Sequence, residues 1–530
     1  MRLKDLIKCT GGALLAGKND SEKDITGVSC DGRYVKRGEA FFCLTGGNLD
    51  GRQFAAQAAE RGAGAIVTPT PLTLADTFAA PPQIVVSDTR KAFALAAGAY
   101  YGNPAEKMRV AGVTGTNGKT TVTYLLSSIF DCAGKTSGVI GTTGIFYAGR
   151  KIDPALTTPD PAFLHKVFYD MKKTGVTDVC MEVSAHALHY EKTAGIPFAA
   201  RIFTNFSQDH LDFFGSMSAY KKTKEKFFFS ECEKSVENEG GNKGGNETAK
   251  QTETAGEPQS ENVKKGGVFV INADDETGRN IAKRAQKNGE KVITYGLENP
   301  SDVFAVITDE SVAGSKFLLN LSDRLCRVNL SLTGRHNVYN ALAAASCAFA
   351  LGVDSVAIAE GLKTARLPRG RLQRVRGVSG AEIFIDYAHT PDGLEKSLSA
   401  LRPFCKGKLY CLFGCGGNRD RGKRAQMGAI AAKMADFSYL TSDNPRYEDP
   451  ADILREIESG HRRFSENYVA MSDRKKAIFY AVNFLKKGDI LLIAGKGGEE
   501  TQEIMGIKYE YDDETAVREA IAAKIAGEKG

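Results

Sequence analysis

The sequence predicts an α/β protein of three domains, and three observations carry that prediction. The chain has 530 residues, too many for one hydrophobic core and suited to about three domains. Short apolar runs rich in β-branched residues alternate with helical patterns, which implies parallel, doubly wound sheets. Residues 108–121, MRVAGVTGTNGKTT, read as strand, glycine turn, lysine, hydroxyl and helix.

The rest of the chain is organised around that stretch. Gly115, Thr116, Asn117 and Gly118 form a tight turn that exposes backbone N–H groups, and from Lys119 the residues Val122, Leu125, Leu126 and Ile129 repeat at helical spacing. Amides and the positive helix end would face an anion. Lys119, read as an exposed loop lysine, would reach the β and γ phosphates, and Thr120, followed by Thr121, could ligand Mg²⁺. Val113 stands where the strict P-loop pattern has glycine. An ordinary glycine turn is the alternative; the lysine, the tandem threonines and the strand-to-helix context weigh against it.

Composition narrows the class. A 42% hydrophobic and 25% charged content is that of a globular protein. Lys4, Asp5 and Lys8 interrupt any apolar leader, and no run approaches the roughly 18 apolar residues of a membrane span. The 11 cysteines include no CxxC pair, and we read them as reduced thiols of a cytoplasmic protein. A net charge of +6 without a basic, aromatic-interleaved run argues against nucleic acid and for a nucleotide or another small anion as partner.

Taken in order, residues 1–104 read as a small N-terminal α/β domain, with strands at 40–44 and 65–67, a helix at 54–60 and a loop at 68–82. Residues 105–368 read as a central P-loop ATPase-like domain, with a parallel sheet of strands at 109–113, 138–140, 178–183, 201–203, 268–271 and 292–295. Polar groups follow several of these strands: Thr142 and Thr143, Ser184 and His186, Asn205, Asp209 and His210, and Asn272, Asp274 and Asp275. Ligands of such sheets bind beyond the carboxyl ends of the strands. Residues 232–266 are rich in Gly, Glu, Asn, Lys and Thr, and we expect a disordered insertion without a catalytic part. An alanine-rich helix, GRHNVYNALAAASCAFALG, leads to a C-terminal Rossmann-like domain at 369–530 with strands at 382–385, 409–413, 438–440 and 490–493. A cleft between this sheet and the P-loop domain would be the active site.

The motifs GVTGTNGKTT, LTTPD, MEVSAHAL, FTNFSQDHLDFFG, INADDE, GRHNVYNALAA, DYAHTPD, FGCGGNRDRGKR and DNPR together resemble the Mur ligases, nearly end to end apart from the insertion. The resemblance implies an ATP-dependent amide ligase of peptidoglycan synthesis. The D-glutamate carboxylate of UDP-N-acetylmuramoyl-L-alanyl-D-glutamate would attack the γ-phosphate, and the amine of a diamino acid would displace phosphate from the resulting acyl phosphate. It implies that Gly115 to Thr121, Arg371 and Asp386 hold ATP, and that Thr120, Glu182, His210 and Lys224, carbamylated by CO₂, hold two Mg²⁺ ions. Lys119, Lys224 and His210 would be catalytic.

The resemblance further implies that Gly32, Thr157, Thr158, Ser184 and Lys192 hold the UDP substrate, and Arg419, Asp443, Asn444, Pro445, Arg446, Gly495 and Glu499 the amino acid. The chain departs from the family pattern at Gly32, usually serine, Lys192, usually arginine, Gln373, usually glutamate, and Gly498, usually histidine. DNPR is the version associated with meso-diaminopimelate, whose distal carboxylate an arginine fork would bind; L-lysine or another diamino acid is the alternative. A cytoplasmic monomer is implied. More distant readings are a folylpolyglutamate synthase-like ligase, which usually has GTNGKG at the loop and lacks the UDP-binding domain, and a nucleotide-gated binding protein without turnover.

Overall fold

A computed structural model describes residues 1–15, 21–46, 49–74, 80–154, 156–229, 267–322 and 324–527. The expected insertion at 232–266 and part of the expected loop at 68–82 lie outside these residues.

Near the N-terminus, five strands pair in the order Ala13–Leu14, Gln83–Val85, Ala65–Thr68, Ala40–Phe42 and Val28–Ser29, parallel except for the first. The expected helix at 54–60 forms, beginning one residue later. A 3₁₀ turn, Gly51–Phe54, precedes the α-helix Ala55–Glu60, because the Asp50 side chain accepts the Arg52 N–H at 3.0 Å and draws the chain into a tighter first turn.

The central sheet is larger than expected and is mixed. Seven strands run parallel in the order Val303–Ser311, Val292–Gly296, Val268–Asn272, Phe198–Phe203, Arg109–Thr114, Asp178–Glu182 and Ser137–Gly141. Antiparallel strands extend both edges: Gly314–Leu321 and Arg324–Leu330 on one side, Gly144–Tyr147 and Arg150–Ile152 on the other. The expectation of a parallel sheet is therefore corrected at its edges. Tight turns join these strands, which only antiparallel neighbours allow. Along Gly314–Leu321, Ser315, Phe317, Leu319 and Leu321 are buried while Lys316 faces solvent, the one-sided pattern that antiparallel strands tolerate.

Arg109–Thr114 lies inside this sheet, so its loop opens at the middle of the carboxyl edge. The helix Lys119–Cys132 that follows buries Val122, Leu125, Leu126 and Ile129 completely against the sheet and the helix Arg335–Ala350. At about 1.5–3 kcal/mol per fully buried aliphatic side chain, this stripe anchors the phosphate loop.

The C-terminal sheet runs Gln373–Arg376, Glu382–Asp386, Ile490–Ala494, Leu409–Phe413, Phe437–Thr441 and Tyr468–Met471, parallel except for its first strand. A separate ribbon, Thr501–Ile504 with Ile507–Glu510, stands beside it. Among the described residues no helix is long and apolar enough to cross a membrane.

Candidate functional site

A cavity of about 810 Å³ opens at the carboxyl ends of the central strands, under the C-terminal domain. The phosphate loop forms its floor. Gly118 has φ +89°, and a Cβ there would collide with Asn340 Oδ1 from the facing helix, so glycine is required on both counts. The loop is held from beneath by the next strand end: Asn205 Oδ1 accepts the Asn117 N–H at 2.9 Å, Thr204 Oγ1 donates to Asn117 O at 2.6 Å, and Ser207 N donates to Thr116 Oγ1 at 3.0 Å. The polar strand ends legible in the sequence thus include structural brackets. Asp275 likewise caps the helix Glu276–Lys287 and accepts the Phe206 N–H at 2.9 Å.

Lys119 is half-buried rather than exposed, which corrects the reading of a free loop lysine. Its Nζ donates to Gly115 O at 3.0 Å and Thr116 O at 2.9 Å, and burial lowers its pKa from the usual lysine range. The next residue begins a polar chain. Thr120 Oγ1 donates to Glu182 Oε1 at 2.8 Å and accepts from Arg371 Nη2 at 3.0 Å, while Thr142 bonds both Glu182 oxygens. Glu182 ends a central strand and Arg371 lies at the start of the C-terminal domain, so this chain spans the cleft.

Lys224, from the helix Met217–Glu225, also lines the cavity. It is 1% exposed, and its amine lies 4.6 Å from the Tyr220 ring centroid and makes no hydrogen bond or ion pair among the described residues. Burial and the nearby Lys119 charge hold its amine well below the usual lysine range. His210 adopts φ +55° and pairs with Asp209, Nε2 to Oδ2 3.3 Å; burial lowers its pKa, leaving the imidazole neutral at pH 7.

Thr120 and Glu182 offer hard oxygen donors suited to Mg²⁺. Among the described residues no group of three or more His, Cys, Asp or Glu side chains could hold a metal by itself, so a bound Mg²⁺ would depend on nucleotide phosphates and water as further ligands.

Thr157, Thr158, Ser184 and Lys192 also line the cavity. Thr158 Oγ1 donates to Glu182 O at 2.9 Å and accepts from Ser184 N at 3.1 Å, and Lys192 pairs with Asp160 at 2.7 Å. Gly32 is not on the cavity; it packs against Phe54 and Gln57 in the N-terminal domain.

The C-terminal side brings Arg371, Asp386, His389, Lys396 and Arg419 to the cavity. Asp386 accepts from Leu372 N at 2.6 Å, Ala388 N at 3.0 Å and Ser397 Oγ at 3.1 Å, so its carboxylate fixes the hinge that presents Arg371. Gln373 bonds Gly370 N and, through Nε2 at 2.7 Å, Glu514; a glutamate in this position would face a like charge. A Cβ on Gly498 would sit 2.7 Å from Arg369 O, so glycine lets its loop lie against the hinge.

Asp443, Asn444, Pro445, Arg446, Gly495 and Glu499 cluster at the neighbouring strand ends, outside the cavity lining, with the loop carrying Arg419 between. Arg446 Nη1 donates to Gly417 O of that loop at 2.9 Å. Lys496, which the sequence reading missed, is fully buried here and donates to Asn444 Oδ1 at 3.0 Å, Glu499 Oε2 at 3.0 Å and Thr501 O at 2.8 Å. Asn337 and Asn340 on the cavity wall were also missed. Two asparagines three apart in an otherwise alanine-rich helix share one face, and that was the available signal.

A glycine-turn loop at the head of a buried helix, facing a second sheet that carries cationic side chains, is the arrangement the sequence led us to expect of an ATP-using ligase. Residues 24–101 match the Mur ligase family, catalytic domain; residues 113–252 and 260–348 match the Mur ligase middle domain; and residues 370–497 match the Mur ligase, glutamate ligase domain. The UDP-N-acetylmuramoyl-L-alanyl-D-glutamate–2,6-diaminopimelate ligase of Geobacillus thermodenitrificans is 38% identical over 498 residues, covering 94% of this chain and 95% of that protein. The Clostridium perfringens protein of the same name is 35% identical over 528 residues, 99% and 100% of the two chains. A solved structure of a ligase of that name superposes with a TM-score of 0.67 at 30% identity, covering 99% of each chain. The chain belongs to the Mur ligase family.

Proposed function

We propose that this ligase joins 2,6-diaminopimelate to the D-glutamate carboxyl of UDP-N-acetylmuramoyl-L-alanyl-D-glutamate, converting ATP to ADP and phosphate. The observation that carries the reading is the single cavity shared by the phosphate loop, Glu182 and the cations Arg371 and Arg419, where a terminal phosphate, a carboxylate and an amine can meet. The relatives' shared name supplies the substrates.

The chemistry needs charge neutralisation and alignment more than a covalent protein group. The loop amides from Gly115 to Thr121 would hold the β and γ phosphates, with Lys119 exchanging its two loop carbonyls for phosphate oxygens. Arg371, anchored by the Asp386 hinge, would neutralise charge on the transferring phosphoryl group. Mg²⁺, held by Thr120 and Glu182 and beside His210, would supply further neutralisation. Lys224 is suited to a carbamate, an oxygen donor for a second Mg²⁺, because it is buried and has no ionic partner among the described residues. Thr157, Thr158, Ser184 and Lys192 would hold the muramoyl dipeptide, and Gly32 would serve the UDP end from the N-terminal domain.

Arg419 and the residues 443–446, with Gly495 and Glu499, would hold the amino acid. The domain limits 1–104, 105–368 and 369–530, a cytoplasmic location and a monomeric state belong to the same proposal.

The test supplies ATP, Mg²⁺ and the UDP-dipeptide with either meso-diaminopimelate or L-lysine and identifies the product by mass. Arginine pairing with the distal carboxylate supports a selectivity of about two orders of magnitude, roughly 3 kcal/mol. Arg446→Ala should raise the KM for diaminopimelate, leave that for ATP nearly unchanged, and narrow the gap to lysine. Equal kcat/KM for the two amino acids in the unmodified enzyme would overturn the diaminopimelate assignment and leave the ligase intact.

A further inference from the structure

We infer that Glu503, on the ribbon beside the residues 443–446, is a specificity-determining residue. It fixes Arg446 for the distal carboxylate of the diamino acid and itself receives the distal ammonium. The inference rests on the reading of the reaction given above.

The ribbon is registered onto the arginine by its backbone. Arg446 N donates to Glu503 O at 3.1 Å, Met505 N donates to Arg446 O at 2.6 Å, and Glu503 N donates to Asn444 Oδ1 at 3.0 Å. Arg446 itself has φ +52°, an unfavourable conformation for a branched or long side chain, so these bonds hold it in place. Its guanidinium is then oriented from two sides: Nη1 donates to Gly417 O at 2.9 Å, and Nε lies 3.4 Å from Glu503 Oε2. A guanidinium has five N–H groups in a fixed fork. The Nη2 pair and one Nη1 hydrogen remain, which is the end-on edge that grips a carboxylate with two parallel bonds.

The other carboxylates around this turn each have one oxygen engaged by the protein, which leaves the second oxygen of each for the amino acid they are assigned to hold. Asp443 Oδ1 accepts the Asn444 N–H at 2.7 Å, and Glu499 Oε2 accepts from Asn444 Nδ2 at 2.8 Å and from the buried Lys496. Among the described residues Glu503 has Arg446 as its only cationic partner, and the two side chains are 28% and 20% exposed. A carboxylate docking on the free edge of Arg446 would therefore lie beside an anion that Arg446 alone cannot neutralise twice. An ammonium on the same carbon removes that conflict by pairing with Glu503. Each end of 2,6-diaminopimelate carries both groups. Lysine brings the ammonium and leaves the Arg446 edge empty; 2-aminopimelate, of the same chain length, brings the carboxylate and leaves Glu503 opposed.

The experiment measures kcat and KM of the full chain, with ATP, Mg²⁺ and the UDP-dipeptide, for meso-diaminopimelate, L-2-aminopimelate and L-lysine, in the unmodified enzyme and in Glu503→Gln and Glu503→Asp. The unmodified enzyme should favour diaminopimelate over 2-aminopimelate by about tenfold or more in kcat/KM, the scale of one charge-assisted pair. Glu503→Gln should raise the KM for diaminopimelate about tenfold at near-constant kcat, leave or improve 2-aminopimelate, and so collapse the ratio; Glu503→Asp should restore part of it. An unchanged ratio in Glu503→Gln, or an equal loss on both amino acids, would reduce Glu503 to a structural support for the turn and overturn the inference. Absence of diaminopimelate-dependent product in the unmodified enzyme would instead overturn the reading of the reaction, a result separable from any effect of Glu503.

Discussion

Lys119 and Lys224 show how much one residue's surroundings add to its identity. Lys119 was legible from GTNGKTT, but its two internal hydrogen bonds were not, because nothing in the motif says where an unliganded ammonium rests. Lys119→Ala should lower kcat by about a thousandfold or more, as expected for loss of a preorganised cation, with a stability change of about 1–2 kcal/mol from two modest hydrogen bonds. Turnover assay and denaturant melt read the two effects separately, and near-normal turnover would remove Lys119 from the phosphate site. Lys224 sits in a cluster of four lysines, so its register was the weak point of the sequence reading; burial now separates it from its neighbours. Lys224→Ala should regain activity with formate or acetate, while Lys224→Arg should not, since a guanidinium stays cationic and takes up no CO₂. Equal failure of both variants at every acid concentration would argue against a carbamate. Lys496 stayed invisible in the sequence because its role comes from Asn444, some fifty residues earlier, and from Thr501 O, a contact only the fold creates.

At the scale of elements, long-range pairing decided what could be read. Strands in the parallel centre carry short, mostly buried apolar runs and stood out; the edge hairpins between residues 303 and 330 alternate polar and apolar residues, and their partners are set by turns rather than by composition. The helix Pro161–Lys173 packs on Thr89–Tyr100 of the N-terminal domain, and His165 is buried in that contact, 3% exposed, with neither ring nitrogen hydrogen-bonded. Burial lowers its pKa from 6.5 to about 4. The unfolded chain therefore binds a proton that the folded one refuses, and stability from this group is fully present above pH 6.5 and is lost as the pH falls toward about 4. The loss amounts to about 3 kcal/mol. His165→Leu should flatten the dependence of unfolding free energy on pH across that window, measured by denaturant titration at several pH values. An unchanged slope would mean that the imidazole charges without cost in the fold.

For the whole molecule, the placement of the phosphate loop and the residues 443–446 on two sheets facing one cleft was expected from the sequence, and the contacts that close the cleft were not. Those contacts are polar and join distant segments: Arg371 Nη2 to Thr120 Oγ1 at 3.0 Å, and Asn117 Nδ2 to Asp392 Oδ2 at 2.6 Å, where Lys396 also pairs. They place the hinge cation over the residue expected to hold metal and phosphate, which is the arrangement an acyl phosphate needs if it is to form on one domain and be captured from the other. Oxygen-18 in the D-glutamate carboxylate of the UDP-dipeptide tests this most directly. The carboxylate oxygen that attacks the γ-phosphorus becomes the bridging oxygen and leaves with phosphate when the amine displaces it, so turnover with diaminopimelate should deliver one labelled oxygen to each inorganic phosphate released. Unlabelled phosphate accompanying full amide formation, or phosphate release without amide, would contradict the account.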